Sequence, residues 1–219
     1  DGITLGKTFR YQGERIMEYI LSLIEKSRPD TMVLSSVRHL SEKNISRLED
    51  LCGRLIVMDS YILENHGLPS YITPDRAASV IASRYLFRDR GCMIFDMGTT
   101  MTVDFLDGDG RYEGGNVSPG CRTRFSSIYR YSKQFPLIDS PEEPVEKGYD
   151  IRSSIEAGVI NGIKFEIEGY MSHHPEKTVV FTGGDAIYFA KQMKNSIFVV
   201  CNLVLMGLAL IAVEHDQKD

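Results

Sequence analysis

Cys92-Met93-Ile94-Phe95-Asp96-Met97-Gly98-Thr99-Thr100-Met101-Thr102-Val103-Asp104-Phe105 decides the fold of this 219-residue chain. An apolar run meets an acid, a glycine and two hydroxyls, and the chain then returns in alternating pattern. The pattern predicts strands over 93–95 and 100–106 joined by a tight turn. Gly98 lets backbone approach a bulky ligand without a Cβ clash. Turn N–H groups and the hydroxyls of Thr99 and Thr100 can hold phosphate oxygens, while Asp96 faces a cation. Such a turn is the front end of a phosphoryl-transfer site. The bland alternative, Asp and Gly serving turn geometry alone, stays open.

Downstream, Asp107-Gly108-Asp109-Gly110 predicts a hairpin turn. Arg111–Glu113 continues as a strand into Gly114-Gly115-Asn116-Val117-Ser118-Pro119-Gly120. That segment reads either as a loop needing positive φ or as backbone, Gly115 included, lying beside a small substrate. Helices are expected near 121–133 and 152–171. Thr178–Phe181 is a strand ending in Thr182-Gly183-Gly184-Asp185, which opens a helix to Lys191. Paired glycines there let a flat ligand lie against backbone, and helix N–H groups favour phosphate. Ile197–Val213 is apolar except for Asn202 and Gly207. It reads as a buried strand, a turn and a buried helix rather than a membrane span.

Upstream, Asp1-Gly2 looks like a hairpin tip followed by a strand over 3–9, so the chain is expected to begin inside a structural unit, with no secretory leader. Helical spacing covers 14–26, 41–51 with Ser41 as cap, and 75–87; strands cover 31–37 and 55–58. Two α/β halves result, with expected domains at 1–89 and 90–219 and a cleft between them.

A net charge of −5 excludes a broad basic surface for nucleic acid. Cys52, Cys92, Cys121 and Cys201 lie far apart and read as free thiols in a reducing cytoplasm. His173-His174 reads as an exposed turn, and Glu156, Glu166 and Glu168 as a solvated helix face. Asp75-Arg76 opens a helix after Thr73-Pro74. Asp75 is either a first-turn helix residue or the base that deprotonates an attacking hydroxyl, with Arg76 holding an anionic group.

Taken together, Ser35-Ser36-Val37, Asp75-Arg76, Asp96-Met97-Gly98-Thr99-Thr100, Gly114–Gly120, Ser153–Gly158, Thr182–Ala186 and Asn202–Leu208 make the chain resemble the type III pantothenate kinases. That family shares its fold with acetate and sugar kinases, heat-shock 70 proteins and actin. The resemblance implies two related ribonuclease H-like (actin-like) α/β domains with a nucleotide cleft between them. It implies ATP-dependent phosphorylation of pantothenate to 4'-phosphopantothenate, the first step towards coenzyme A, in a cytoplasmic homodimer with no membrane or nucleic-acid partner. Asp75 would be the catalytic base and Arg76 would bind pantothenate. Asp96 would bind potassium or ammonium, and Thr99 would contact ATP, which carries Mg2+. Gly98, Thr100, Gly183 and Gly184 complete the expected nucleotide site; Tyr71 and Gly115 join Arg76 on the substrate side.

Three departures accompany the resemblance. The family's first strand and Asp-x-Gly-Asn-Thr phosphate loop would precede Asp1. The segment Tyr71–Asp75 is shorter than the family's, so Tyr71 matches its substrate-contacting tyrosine only if residues are missing. Ile151 stands where the family has a substrate-site threonine, and it cannot donate a hydrogen bond. The first and third support one rival from another class, a non-catalytic regulatory or interaction protein on the same scaffold. A sugar or acetate kinase fits the Asp75-Arg76 pair less well.

Overall fold

The computed structural model describes residues 6–9, 11, 13–24, 28–37, 40–138 and 145–216. They fall into two compact units: Asp1–Ala82 with Leu203–Asp219, and Ser83–Asn202. The division expected at 89/90 thus lies after Ala82 instead, and the last helix belongs with the first unit.

The first unit contains α1 (Ile16–Ile24), β1 (Thr31–Leu34), α2 (Glu42–Glu49), β2 (Arg54–Val57), α3 (Ser60–Asn65) and most of α4 (Pro74–Leu86). β1 and β2 pair in parallel, as a crossover through α2 requires. Ser41 caps α2, its Oγ accepting the Asn44 N–H at 3.4 Å. α3 is absent from the sequence reading; Asp59 caps it by accepting the Ile62 N–H at 2.9 Å. Asp1–Leu5 of the expected hairpin and strand lie outside the described residues, and 6–9 form no strand.

The closing helix of the chain, Leu203–Asp216, packs on β1. Its Gly207 sits against α4, where a Cβ would lie 2.8 Å from the Ala78 Cα and closer still to the Ala78 carbonyl. Alanine normally gains about 1 kcal/mol over glycine inside a helix. Here backbone blocks the methyl, so Gly207→Ala is expected to lose at least about 1 kcal/mol net. Thermal unfolding would show it as a lower Tm; an unchanged or higher Tm would contradict this packing.

The second unit carries β3 (Cys92–Met97), β4 (Thr100–Leu106), β5 (Tyr112–Pro119), α5 (Cys121–Tyr131), α6 (Ile151–His173), β6 (Thr178–Thr182), α7 (Ala186–Gln192) and β7 (Phe198–Val199); the closing helix is α8. The sheet order is β5-β4-β3-β6-β7, antiparallel through β5, β4 and β3 and parallel through β3, β6 and β7. Three meandering strands followed by two parallel ones make the ribonuclease H-like, actin-like fold. β3 is central and mostly buried on both faces, which explains its nearly unbroken apolar sequence.

One sheet face forms the core. Met93, Phe95, Met101, Val103, Phe105 and Phe181 pack against Phe125, Phe189 and the α6 ladder of Ile160, Ile163 and Ile167. Each fully buried ladder residue contributes about 1.5–3 kcal/mol. The predicted hairpin at 107–110 is present: Asp107 Oδ1 accepts the N–H groups of Asp109 and Arg111, and Gly110 takes φ 77°.

Several expectations change. Gly114–Pro119 is strand rather than loop, because it pairs with β4 throughout. A bulge near Glu113 accommodates the φ of 130° at Gly114. Strand β7 is exposed rather than buried, since it forms the sheet edge. Glu156 is buried and pairs with Arg152 at 3.1 Å, and Glu166 pairs with Arg124, so only Glu168 of the three lies exposed. His173 ends α6 and His174 caps it. Among the described residues no helix is long and apolar enough to cross a membrane. The four cysteines are free, Cys201 exposed and the others buried.

Candidate active site

The turns at the ends of β3 and β6 adjoin one another. Strand register sets Asp96 opposite Thr102 on β4 and opposite Thr182 on β6, so the three side chains share one face of the sheet. Thr102 and Thr182 are buried, and the Thr102 hydroxyl has no hydrogen-bond partner. A partly exposed carboxylate flanked along the sheet by two threonines, one hydroxyl unsatisfied, gathers the oxygen donors that a cation takes.

Gly183 takes φ 90° and closes the β6 turn onto this carboxylate. A Cβ there would meet Asp96 Oδ1 at 2.5 Å and Met97 N at 2.6 Å. The Asp185 N–H donates to the Met97 carbonyl at 3.1 Å, tying the two turns together. Gly184 is exposed beyond them.

Gly98-Thr99 forms the turn between β3 and β4, with the Gly98 N–H donating to the Thr100 carbonyl at 3.0 Å. Thr99 and Thr100 are exposed, as a phosphate-holding turn needs. The start of α5 presses on this turn from behind. A Cβ on Gly120 would lie 2.9 Å from the Thr99 carbonyl oxygen and closer to that of Gly98. At the first position of α5, burial pushes the Cys121 thiol up to about 12, with Asp185 adding to burial and Arg124 opposing it. A helix N-terminus usually acidifies a thiol; burial wins here, and the thiol stays protonated and unreactive.

The other expected residues of this unit lie apart from the corner. Gly115 sits mid-strand opposite Asp104, four register positions from Thr100, or about 13 Å along the strand. Asp104 is buried and accepts the Tyr112 hydroxyl at 2.8 Å. Ile151 is the first residue of α6, which a reciprocal capping box between Asp150 and Ser153 starts. Hydrogen bonds from Ser153 hold the Asp150 carboxyl below its ordinary range. The exposed Ile151 borders a groove of about 920 Å3 between α5 and α6, lined also by Arg124, Ile128, Phe135, Tyr149 and Ile155.

In the first unit, Asp75 and Arg76 occupy the first turn of α4, which Pro74 opens. Asp75 is half-buried, and its Oδ1 accepts the Arg76 N–H at 2.9 Å. Arg76 is buried and Tyr71 exposed. Sequence reasoning missed Thr102 and Thr123 as neighbours of the turns, and took Thr182 and Gly120 only as members of their glycine motifs. Alternation along β4 puts Thr102 on the Asp96 face, a signal that was available; the others depend on tertiary packing.

Comparison with known proteins identifies the family. The sequence pattern of the type III pantothenate kinases matches residues 3–173. A type III pantothenate kinase of Phocaeicola vulgatus is 34% identical over 193 residues, covering 84% of this chain and 80% of that relative. One from Cytophaga hutchinsonii is 34% identical over 202 residues, covering 86% and 83%. Among solved structures, a protein described as a Baf family transcriptional activator from Campylobacter jejuni aligns with TM-score 0.57 and 19% identity, covering 90% of this chain and 89% of that one. At that identity the last comparison speaks for the fold alone. The chain belongs to the type III pantothenate kinase family.

Proposed function

We propose that this chain transfers the γ-phosphoryl group of ATP to the primary hydroxyl of pantothenate, giving 4'-phosphopantothenate, with Asp75 as the base. The observation that carries the reading is membership of the family over residues 3–173, joined to the paired turns at Gly98-Thr99 and Gly183-Gly184. Membership does not favour the non-catalytic alternative.

Phosphoryl transfer asks a protein chiefly for positioning and charge neutralisation. In this reading Asp75 accepts the proton of the attacking hydroxyl, and Arg76 holds the pantothenate carboxylate. Thr99, Thr100 and the backbone of Gly98 hold phosphate oxygens. Gly183 and Gly184 leave room for the nucleoside. Tyr71, Gly115 and Ile151 are assigned to the substrate side, where Ile151 offers an apolar wall in place of a donor.

A divalent cation accompanies ATP in kinases. We assign a monovalent cation, potassium or ammonium, to Asp96, because the unsatisfied Thr102 hydroxyl and Thr182 flank that carboxylate. When bound it supplies positive charge against the phosphate oxygens. Asp96 would hold it, with the Thr102 and Thr182 hydroxyls as further oxygen donors.

A homodimer is proposed on the strength of the apolar groove between α5 and α6 and of exposed Tyr129, Tyr131 and Phe165 on those helices. The cytoplasm is assigned as the compartment that supplies ATP. The expected result for the full-length protein is ADP release that needs both Mg-ATP and pantothenate, and that rises when potassium replaces sodium. ADP release indifferent to pantothenate would sink the reading; indifference to potassium would remove the monovalent cation from Asp96.

A further inference from the structure

The carbonyl of Thr99 receives two donors from one helix. The Gly120 N–H donates to it at 3.0 Å and the Thr123 hydroxyl at 2.6 Å. Gly120 is the N-cap of α5 and has no side chain to offer, so Thr123 is the third residue of the helix. A polar side chain at that position usually reaches back to the N-cap N–H of its own helix. Here the hydroxyl and the N-cap N–H converge instead on an acceptor from a neighbouring turn.

Two donors on one carbonyl fix the plane of the Thr99–Thr100 peptide. The peptide is planar and trans, so its C=O and N–H point in opposite directions. With the carbonyl drawn onto α5, the Thr100 N–H is aimed away from the helix, within a turn whose Thr99 and Thr100 are exposed. Preorganised N–H groups bind developing or resident negative charge without reorganising.

The helix is itself held in place. Arg124 donates from Nε to the Pro119 carbonyl at 2.8 Å and from Nη2 to Ser118 Oγ at 3.3 Å, and it pairs with Glu166 on α6. The end of β5, the start of α5 and the middle of α6 are thereby linked beside Gly120 and Thr123. A sub-ångström drift of α5 would otherwise turn the Thr99 peptide.

We propose that Thr123 is a positioning residue for the phosphates of the nucleotide, acting through the Thr99–Thr100 peptide. The inference rests on the reading of the Gly98-Thr99 turn as nucleotide-binding. The Thr123 hydroxyl does not touch ligand; it sets the direction of the backbone donor that does.

The test compares wild type, Thr123→Val and Thr123→Ser in the full-length protein, with a non-hydrolysable ATP analogue and Mg2+ in calorimetric titration. One lost hydrogen bond predicts an analogue Kd about 3- to 10-fold higher for Thr123→Val. Thr123→Ser should return to within about twofold of wild type, and the pantothenate KM should stay unchanged in both. Should Thr123→Val fail to fold, Thr123→Ala gives the same comparison. A wild-type affinity in Thr123→Val overturns the proposal. So does a loss shared equally by pantothenate KM and Tm, which would mark a merely structural role. If wild type itself does not bind the analogue, the turn's nucleotide reading fails and takes this inference with it.

Discussion

Asp75→Asn is expected to lower kcat by about 10²- to 10⁴-fold, the range a positioned general base supplies. The fold should tolerate the change. The contact that orients the side chain is acceptance of the Arg76 N–H by Oδ1 at 2.9 Å, and an asparagine oxygen can accept it equally. What is lost is the negative charge at the start of α4, worth about 0.3–1 kcal/mol against the helix dipole. Tm should therefore fall little while turnover collapses. Nucleotide affinity should hold, because removing a proton acceptor acts on the chemical step rather than on nucleotide binding. Steady-state kinetics with nucleotide titration separates these quantities. Near-normal turnover would leave Asp75 as an ordinary first-turn helix residue.

Gly183→Ala is expected to damage stability and nucleotide binding together. The position has φ 90°, where a side chain costs about 1–3 kcal/mol of backbone strain. The methyl would also arrive 2.5 Å from Asp96 Oδ1 and from the Met97 carbonyl oxygen, and 2.6 Å from Met97 N. The carboxylate can swing aside, but the Met97 backbone belongs to the central strand and cannot. Overpacking of this kind adds about 1–3 kcal/mol. Relief by withdrawal of the β6 turn would break the Asp185–Met97 bond and part the two turns. Nucleotide affinity should drop at least tenfold, with a lower Tm and a weakened potassium response. A variant with wild-type affinity would show that the two turns do not form one site.

Much of this was legible before any coordinates. Regular alternation and apolar runs located β3, β4 and β6, because sheet burial writes a period of two directly into sequence. The Ser41 cap located α2, and the helix expected near 152–171 matches α6, each to within a residue or two. Misplacements share a physical cause, in that local sequence does not report pairing partners. Glycine-rich Gly114–Pro119 reads as loop until β4 supplies a ladder for it. Phe198-Val199 reads as buried until the sheet ends there. Glu156 and Glu166 read as solvated until Arg152 and Arg124 come alongside.

The site was legible to a different degree. Asp96, Gly98 and Gly183 could be found because strand-end glycines mark close backbone approach. Of the hydroxyls behind them, only Thr102 left a signal, through alternation along β4. Thr182 becomes a neighbour of Asp96 only through parallel pairing of β6 with β3. Thr123 reaches Thr99 only because Gly120 lets α5 pack hard against the turn.

The most direct test is product analysis by mass spectrometry. The full-length protein is incubated with Mg-ATP, potassium and pantothenate, with omission of each component as control. The account predicts pantothenate carrying one added phosphoryl group, formed in step with ADP and absent when pantothenate or ATP is left out. ATP consumed without any phosphorylated pantothenate, or no turnover by folded protein, would contradict it.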